Sequence, residues 1–156
     1  MKAVVALGSN LGERRTHLEA GLVALRTLGT VIASPLIMET ADESGLGPAY
    51  LNTVAILVTD ETDPRRLLEA LLRLELLAGR DRSAGRNAPR TLDLDLITTD
   101  TPPGSWTWPS PEDLRALGPE LSLELPHPRA LSRPFVLEPW RALSDPGDCG
   151  GAIPRT

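Results

Sequence analysis

The stretch Thr91–Thr98 has the sequence TLDLDLIT, which opens with a strict alternation of polar and apolar side chains. A period of two is typical of a β-strand, because successive side chains point to opposite faces of a sheet. Asp93 and Asp95 are therefore predicted to share one face, about 7 Å apart along the strand. Two carboxylates at that spacing repel each other unless cations lie between them. The strand is thus either a solvated edge or one side of a Mg²⁺ site.

The segment immediately before this strand is rich in arginine. Its arginines are Arg80, Arg82, Arg86 and Arg90. A guanidinium group binds phosphate oxygens through a planar fork. Taken alone, the aspartates favour a solvated edge and the arginines a solvated face paired with Glu75 and Asp81. Together they favour a site with metal on one side and anionic oxygens on the other, the charge pattern of a polyphosphate bridged by Mg²⁺.

The rest of the first hundred residues alternates strand and helix patterns. The predicted strands are Lys2–Leu7, Thr30–Met38, Tyr50–Thr59 and Thr91–Thr98. Leucines at helical spacing predict a helix over Gly12–Leu28, and Asp63-Pro64 is a typical start for a second helix that continues to Ala78. The order β-α-β-β-α-β is the ferredoxin-like pattern. The predicted fold class is therefore α+β, a ferredoxin-like βαββαβ sandwich with additional C-terminal elements.

The composition changes beyond residue 100. Thr101–Pro111 holds four prolines and two tryptophans, which predicts a surface excursion. Pro111–Leu117 predicts a short helix, Leu121–Leu125 a last strand, and Pro126–Arg133 a further active-site loop. Residues 144–156 are rich in proline and glycine and predict a loosely ordered tail. We expect one domain over residues 1–156, with its core at about residues 4–140.

Charge and composition exclude several classes of protein. The net charge is −5 and Lys2 is the only lysine, so a basic surface for nucleic acid is not expected. The single cysteine, Cys149, excludes an internal disulfide and a multi-cysteine zinc site. No apolar run approaches the ~18 residues that a membrane span needs, and the apolar start is too short for a signal peptide. We therefore expect a cytoplasmic protein without nucleic-acid or membrane partners, and we also expect a monomer.

Three further features carry possible chemistry. Gly8–Gly12 is a strand-to-helix turn without P-loop or Rossmann spacing, so a plain turn is favoured over a phosphate site. Tyr50 and Asn52 share a strand face, and with Phe135 they could form a slot for a flat heterocycle. Ordinary core packing is the alternative, and the residues alone favour it. His127, held between two prolines, could contact phosphate.

With these residues placed, the chain resembles the 6-hydroxymethyl-7,8-dihydropterin pyrophosphokinases, a family of folate biosynthesis. The stretch from Arg86 to Ile97, RNAPRTLDLDLI, is similar to the signature of that family. Weaker matches follow in the family's order, at Ala6–Gly12, Tyr50–Asn52, and Leu125–Arg129 with Arg133–Leu137. The resemblance covers about Val4 to Trp140.

The resemblance implies transfer of the terminal pyrophosphoryl group of ATP to the pterin hydroxymethyl oxygen, with release of AMP. It implies that Asp93 and Asp95 hold two Mg²⁺ ions, and that Arg80 and Arg90 neutralise charge on the transferred group. The implied pterin-binding residues are Thr40, Tyr50, Asn52 and Phe135. The implied nucleotide-binding residues are Glu75, Arg82, Arg86, His127 and Arg133.

The chain departs from the family pattern within the arginine-rich segment. Asn87 and Ala88 stand where well-known members usually have tryptophan and glycine. A polar asparagine cannot cover a pterin as an indole would, so closure over the pterin relies on other residues. We expect the Gly79–Pro89 loop to close after ATP binds and to exclude water.

Two other classes of function remain open at this point. A two-metal nucleotidyltransferase or nuclease also uses paired aspartates, but it needs a basic groove for a polymer. A non-catalytic ferredoxin-like binding domain would use the charged residues only for solubility. Nucleotide binding that requires Mg²⁺ would exclude the binding domain, and AMP formation that depends on hydroxymethyldihydropterin would exclude the nucleotidyltransferase.

Overall fold

The computed structural model describes residues 1–42, 45–79 and 92–143. Three predicted features lie outside the described residues. They are the arginine-rich segment with Arg80, Arg82, Arg86 and Arg90, the Gly79–Pro89 loop beyond its first residue, and the tail at residues 144–156. In the described part of the chain, no helix combines the length and the apolar character that crossing a bilayer requires.

The main sheet has five strands within the described ranges. They are β1 (Lys2–Ser9), β2 (Thr30–Ala33), β3 (Met38–Thr40), β4 (Tyr50–Val58) and β5 (Asp93–Thr99). The order is β2-β4-β1-β5, with β3 also paired to β4, and every neighbouring pair is antiparallel. The strand predicted over Thr30–Met38 is divided into β2 and β3, at the place where Pro35 interrupts the pattern. The α+β class is confirmed.

Two helices pack on one face of this sheet, α1 (Arg14–Leu25) and α2 (Pro64–Leu77). Helix α2 begins as predicted, with Pro64 as its first residue and the Asp63 carboxylate accepting the Arg65 N–H at 2.9 Å. The buried leucines of the two helices meet the inward side chains of β1 and β5 in the largest core cluster, at Leu18, Leu25, Leu67, Leu71, Val5, Leu7, Leu94 and Leu96. Burial of these apolar side chains is the main force that holds the helices on the sheet.

The described residues cover only part of the opposite face of the sheet. A third helix, α3 (Pro134–Arg141), packs there, and its Trp140 is 3% exposed in a second cluster with Val4, Val54 and Ile56. The sequence pattern did not predict this helix, because it is short and carries Pro139 in its interior. Tertiary packing of one aromatic face stabilises it instead. Among the described residues, the remainder of this face forms a cleft beside α3.

The prediction of a surface excursion over Thr101–Pro111 is wrong. Within the described residues the segment contains β6 (Gly104–Pro109), which pairs with β7 (Glu120–Leu125) in a separate two-stranded sheet. Trp106 lies opposite Leu123 and Trp108 opposite Leu121, and both indoles pack against the main core. The alternation of Trp106 and Trp108 with polar residues therefore favours a strand more strongly than the prolines oppose it. The prolines lie at or beyond the strand ends. The short helix predicted near Pro111 is present as a 3₁₀-helix over Glu112–Leu117.

Candidate active site

The two aspartates of β5 lie on the open face of the sheet. Asp93 and Asp95 are partly exposed and line the same cleft, whereas Leu92, Leu94 and Leu96 are each 2% exposed on the helix side. This is the division of faces that the alternation predicts. The apolar side chains of the strand pack in the core, and its two carboxylates lie together on the cleft side.

The register of the sheet places the amide of Asn52 in the same cross-strand row as Asp93. Gly8 of β1 pairs with Asn52 of β4 on one side and with Asp93 of β5 on the other. Neighbouring strands are about 4.8 Å apart, so the Cα atoms of Asn52 and Asp93 are about 10 Å apart across the sheet. Gly8 occupies the row between them and carries no side chain.

The missing side chain at Gly8 keeps this part of the cleft open. A Cβ atom at Gly8 would lie 3.2 Å from Asn52 Oδ1 and 3.4 Å from Tyr50 Cδ1. The first of these is tighter than an ordinary van der Waals contact. Because Gly8 has no such atom, a planar group can approach the backbone of β1 between the amide of Asn52 and the acids of β5.

A slot with aromatic and amide groups forms one half of the cleft. Thr40, Tyr50, Asn52 and Phe135 all line it. The Asn52 Nδ2–H donates to Thr40 Oγ1 at 2.8 Å, which orients the amide so that Oδ1 faces the row of Gly8. The structure thus brings all four residues together, on β3, β4 and the start of α3. A flat heterocycle with donors and acceptors on its edge suits such a slot.

Basic side chains form the opposite rim. His127, Arg129 and Arg133 line the cleft in the segment between β7 and α3. The His127 backbone N–H donates to the Ile97 carbonyl at 2.7 Å, which ties this segment to the strand that carries the aspartates. The Arg133 guanidinium lies 5.5 Å from the centroid of the Phe135 ring, within the range of a cation–π contact.

The surroundings of His127 favour the neutral form of its imidazole. Burial lowers the pKa of its imidazole, and the nearby positive charges of Arg133 and Arg129 lower it further. Its Nδ1 accepts the Arg129 backbone N–H at 3.2 Å. In the neutral imidazole the proton is then on Nε2, because one ring nitrogen donates when the other accepts. His127 can therefore offer one N–H donor to an anionic oxygen.

The other residues selected from the sequence are placed differently. Glu75 is 2% exposed on α2, and its Oε1 accepts the Leu94 backbone N–H at 2.8 Å. It is not among the described residues that line the cleft. Its contact supports β5 from the helix side, at the residue between the two aspartates. Arg80, Arg82, Arg86 and Arg90 lie outside the described residues.

Two charged cleft residues had no assigned role in the sequence analysis. Asp42 follows β3 and Arg129 follows His127, and both line the cleft. Arg129 lies inside a stretch that matches the family, so the match could have suggested it. Asp42 lies in a loop without periodicity, where no pattern in the sequence indicates which side chain turns inward.

Asp93 and Asp95 are the two acidic side chains of β5 that could bind a metal ion. Among residues 1–42, 45–79 and 92–143, no group of three or more histidine, cysteine or acidic side chains is arranged to hold one. Mg²⁺ is commonly bound by one or two carboxylates, with its other positions taken by water and substrate phosphates. Asp93 and Asp95 fit an ion of that kind, which the substrate itself helps to bind.

The cleft has a volume of about 450 Å³ and is open to solvent on one side. An aromatic and amide slot, two acids and a basic rim on an α+β scaffold define a protein that acts on small molecules with a flat part and an anionic part. The chain belongs to the 7,8-dihydro-6-hydroxymethylpterin-pyrophosphokinase family, whose model matches residues 4–145. Its identification by resemblance to that family is confirmed.

Curated relatives agree with the family match. The chain is 36% identical over 146 residues to the 2-amino-4-hydroxy-6-hydroxymethyldihydropteridine pyrophosphokinase of Pseudomonas aeruginosa, covering 92% of this chain and 80% of the relative. It is 36% identical over 143 residues to the enzyme of that name from Mycobacterium tuberculosis, covering 91% of this chain and 72% of the relative. The Bacillus subtilis enzyme is 31% identical over 139 residues, covering 88% and 74%.

Proposed function

We propose that this protein transfers pyrophosphate from ATP to 6-hydroxymethyl-7,8-dihydropterin in folate biosynthesis, giving AMP and the pterin diphosphate. Family membership supports the reaction. The observation that carries the proposal is the row Asn52, Gly8 and Asp93 across three strands. This row places a heterocycle slot and an acidic pair next to each other, as transfer between two bound molecules requires.

The neutral half of the cleft is proposed to bind the pterin. The ring system would lie over Gly8 between Tyr50 and Phe135, and the oriented amide of Asn52 would pair with its polar edge. Thr40 would act through its hydrogen bond to Asn52. A pterin held there would direct its hydroxymethyl group toward β5, because Asp93 lies beyond Gly8 in the same row of the sheet as Asn52.

The charged half is proposed to bind the triphosphate. Asp93 and Asp95 would hold two Mg²⁺ ions, which, when bound, neutralise phosphate oxygens and favour an in-line displacement. His127 would donate Nε2–H to a nucleotide oxygen, and Arg133 would add a positive charge beside it. Glu75 would support this half indirectly, by fixing Leu94 between the two aspartates.

The arginine-rich segment is proposed to complete the nucleotide site. Arg82 and Arg86 would bind ATP, and Arg80 and Arg90 would neutralise charge that develops on the transferred group. Arg90 is three residues before Asp93 in the sequence, which supports a position beside the acidic pair.

In the proposed reaction, the pterin hydroxymethyl oxygen forms a bond to the β-phosphorus of ATP, and the bond between that phosphorus and the α,β-bridging oxygen breaks. AMP leaves with the bridging oxygen, and the hydroxyl proton passes to solvent water. The protein has little covalent chemistry to perform, so its residues act by positioning and by charge. Gly8 keeps the path between the two bound molecules free of side chains.

We also propose the ferredoxin-like arrangement, one domain and a cytoplasmic monomer. The element order of β1 to β5 with α1 and α2 on one face of one antiparallel sheet supports the fold. The net charge of −5 supports a small-molecule enzyme over a polymer-binding nucleotidyltransferase.

Incubation of the full chain with ATP, Mg²⁺ and 6-hydroxymethyl-7,8-dihydropterin tests the reaction. We expect AMP to accumulate in equal amount with the pterin diphosphate, and only when all three are present. AMP formation without the pterin would instead indicate ATP hydrolysis. Release of inorganic pyrophosphate with nucleotide transfer to another acceptor would indicate the nucleotidyltransferase.

A further inference from the structure

The turn between β1 and α1 touches the loop beside the pterin slot. Arg14, the first residue of α1, donates from Nη1 to the Ala49 carbonyl at 2.8 Å and from Nη2 to Glu39 Oε2 at 3.0 Å. Asn10 Nδ2 reaches the Pro48 carbonyl at 3.4 Å. The stretch Gly8–Gly12, with the sequence GSNLG, predicted no more than a plain turn. Asn10 of this turn and Arg14 directly after it contact β3 and the residues just before β4.

The two acceptors of Arg14 lie on the two sides of one hairpin. Glu39 precedes Thr40 on β3, and Ala49 precedes Tyr50 on β4, while Thr40 and Tyr50 pair with each other in the sheet. One guanidinium therefore joins both strands of the β3–β4 hairpin where its connecting loop leaves the sheet. Thr40 and Tyr50 are the two slot residues at that position.

We infer that Arg14 is a positioning residue for the pterin slot. It holds the ends of β3 and β4 at the spacing at which Thr40 can orient Asn52 and the Tyr50 ring can face Phe135. The inference rests on the proposed function, since it assigns a residue that shapes the site for one of the two substrates. Arg14 itself is not among the described residues that line the cleft.

The geometry favours arginine over lysine at this position. A guanidinium presents several N–H donors in a rigid plane, so it can bind a carbonyl and a carboxylate in different directions at once. A lysine ammonium is a point charge on a flexible stem and holds neither direction firmly. The Arg14 side chain is 29% exposed and that of Glu39 59%, so the contact to the Ala49 carbonyl is the better shielded part of the clamp.

The effect of the clamp should be confined to one substrate. The acids of β5 are held by β1 and by Glu75 of α2, and His127 is held by its hydrogen bond to Ile97, so the β3–β4 hairpin is not a neighbour of these groups in the sheet. A looser hairpin would let Thr40 and Tyr50 move without moving these groups. Binding of the pterin would weaken while binding of ATP would not.

Steady-state kinetics of Arg14→Met with each substrate varied in turn tests the inference. Methionine keeps an unbranched apolar stem and removes both hydrogen bonds. We expect KM for the pterin to rise by about tenfold, the scale of a coupling between contacting groups, with KM for ATP unchanged. The KM of Arg14→Lys for the pterin should lie between that of Arg14→Met and that of the wild type.

The matched control is Arg15→Met, one residue further along the same helix. It makes the same change in net charge, and Arg15 is exposed, with no ion pair or hydrogen bond to the described residues. We expect its kinetic constants to equal those of the wild type. If both variants raise KM for the pterin equally, the effect is one of general charge and the inference is wrong.

A second variant guards against loss of folding in Arg14→Met. Glu39→Gln changes an exposed side chain, removes the ion pair and leaves the Ala49 contact, so a smaller rise in KM for the pterin is expected. The double variant with Arg14→Met and Glu39→Gln should have the same KM for the pterin as Arg14→Met alone, because both substitutions break the same clamp. An unchanged KM for the pterin in Arg14→Met, or an equal rise in KM for both substrates, would overturn the inference. Absence of AMP formation by the wild type would overturn the proposed function instead.

Discussion

The two halves of the cleft are built from different kinds of group. The slot on β3 and β4 uses an amide, a hydroxyl and aromatic rings, and its members hydrogen-bond to each other, as Asn52 does to Thr40. The half on β5 and before α3 uses charges of both signs, the carboxylates of Asp93 and Asp95 and the guanidinium groups of Arg129 and Arg133, with His127 in the same cleft. A slot of the first kind is formed before its ligand arrives and selects by shape. A site of the second kind is completed by the ions and phosphates that it binds.

The largest effect is expected from the acidic pair. Asp93→Ala or Asp95→Ala should lower kcat by at least about 10³-fold, since loss of a single charge-stabilising group already costs on the order of 10²- to 10³-fold. The melting temperature should not fall, because the substitution removes one of two like charges from a sheet face. Asp60→Ala, at an exposed position outside the cleft, is the control for loss of one acidic residue. Near-normal turnover in either cleft variant would disprove the metal assignment.

A smaller effect, confined to the neutral half, is expected from Gly8→Ala. The added methyl group would lie 3.2 Å from Asn52 Oδ1, in the space that we propose for the pterin ring. We expect KM for the pterin to rise by roughly tenfold, in line with a misplacement of bound substrate. The melting temperature should change little, because Gly8 borders an open cleft.

Gly21→Ala provides the contrast to Gly8→Ala. Its Cβ atom would lie 2.8 Å from Leu92 Cδ1, inside the core between α1 and the sheet. Overpacking of this kind costs about 1–3 kcal/mol of unfolding free energy. We expect a lower melting temperature with unchanged KM values. If Gly8→Ala behaves in the same way, its role is packing and not access to the slot.

The smallest effect concerns the pH dependence of the charged half. The pKa of His127 is lowered in the folded protein, chiefly by burial. The unfolded chain therefore binds a proton before the folded one does, and stability falls as the pH drops from the ordinary histidine value, about 6.5, through the lowered pKa. His127→Gln removes this term, so its melting temperature should decline less than that of the wild type between about pH 7 and pH 5. Parallel curves over that interval would contradict the assignment of a neutral His127.

Local patterns predicted most of the main sheet. The alternation over Thr91–Thr98 gave the faces of β5, and Asp63-Pro64 gave the start of α2, because each depends on a preference that acts within a few residues. The pattern failed at β6 and α3. Trp106 and Trp108 form a strand only because β7 and the core lie beside them, and α3 is held by burial of Trp140. Prolines weaken both segments in isolation, and long-range packing compensates for them.

The candidate site shows the same division. Asp93, Asp95, Tyr50, Asn52 and His127 were selected from their types and spacings, and the family match ordered them. Strand pairing between distant parts of the chain places Asn52 and Asp93 in one row, with Gly8 in the gap between them. It also places Asp42 at the cleft. No pattern along the chain records that pairing.

The amino-acid sequence by itself determined the chemistry available to this protein: paired carboxylates on one strand face, arginines ahead of them, and membership of a pterin pyrophosphokinase family. Only the tertiary structure decided which of these groups meet, and that Arg14 contacts both sides of the β3–β4 hairpin. Residue type and period are local properties of the chain. The distance between two side chains on different strands depends on the register and the packing of the whole sheet.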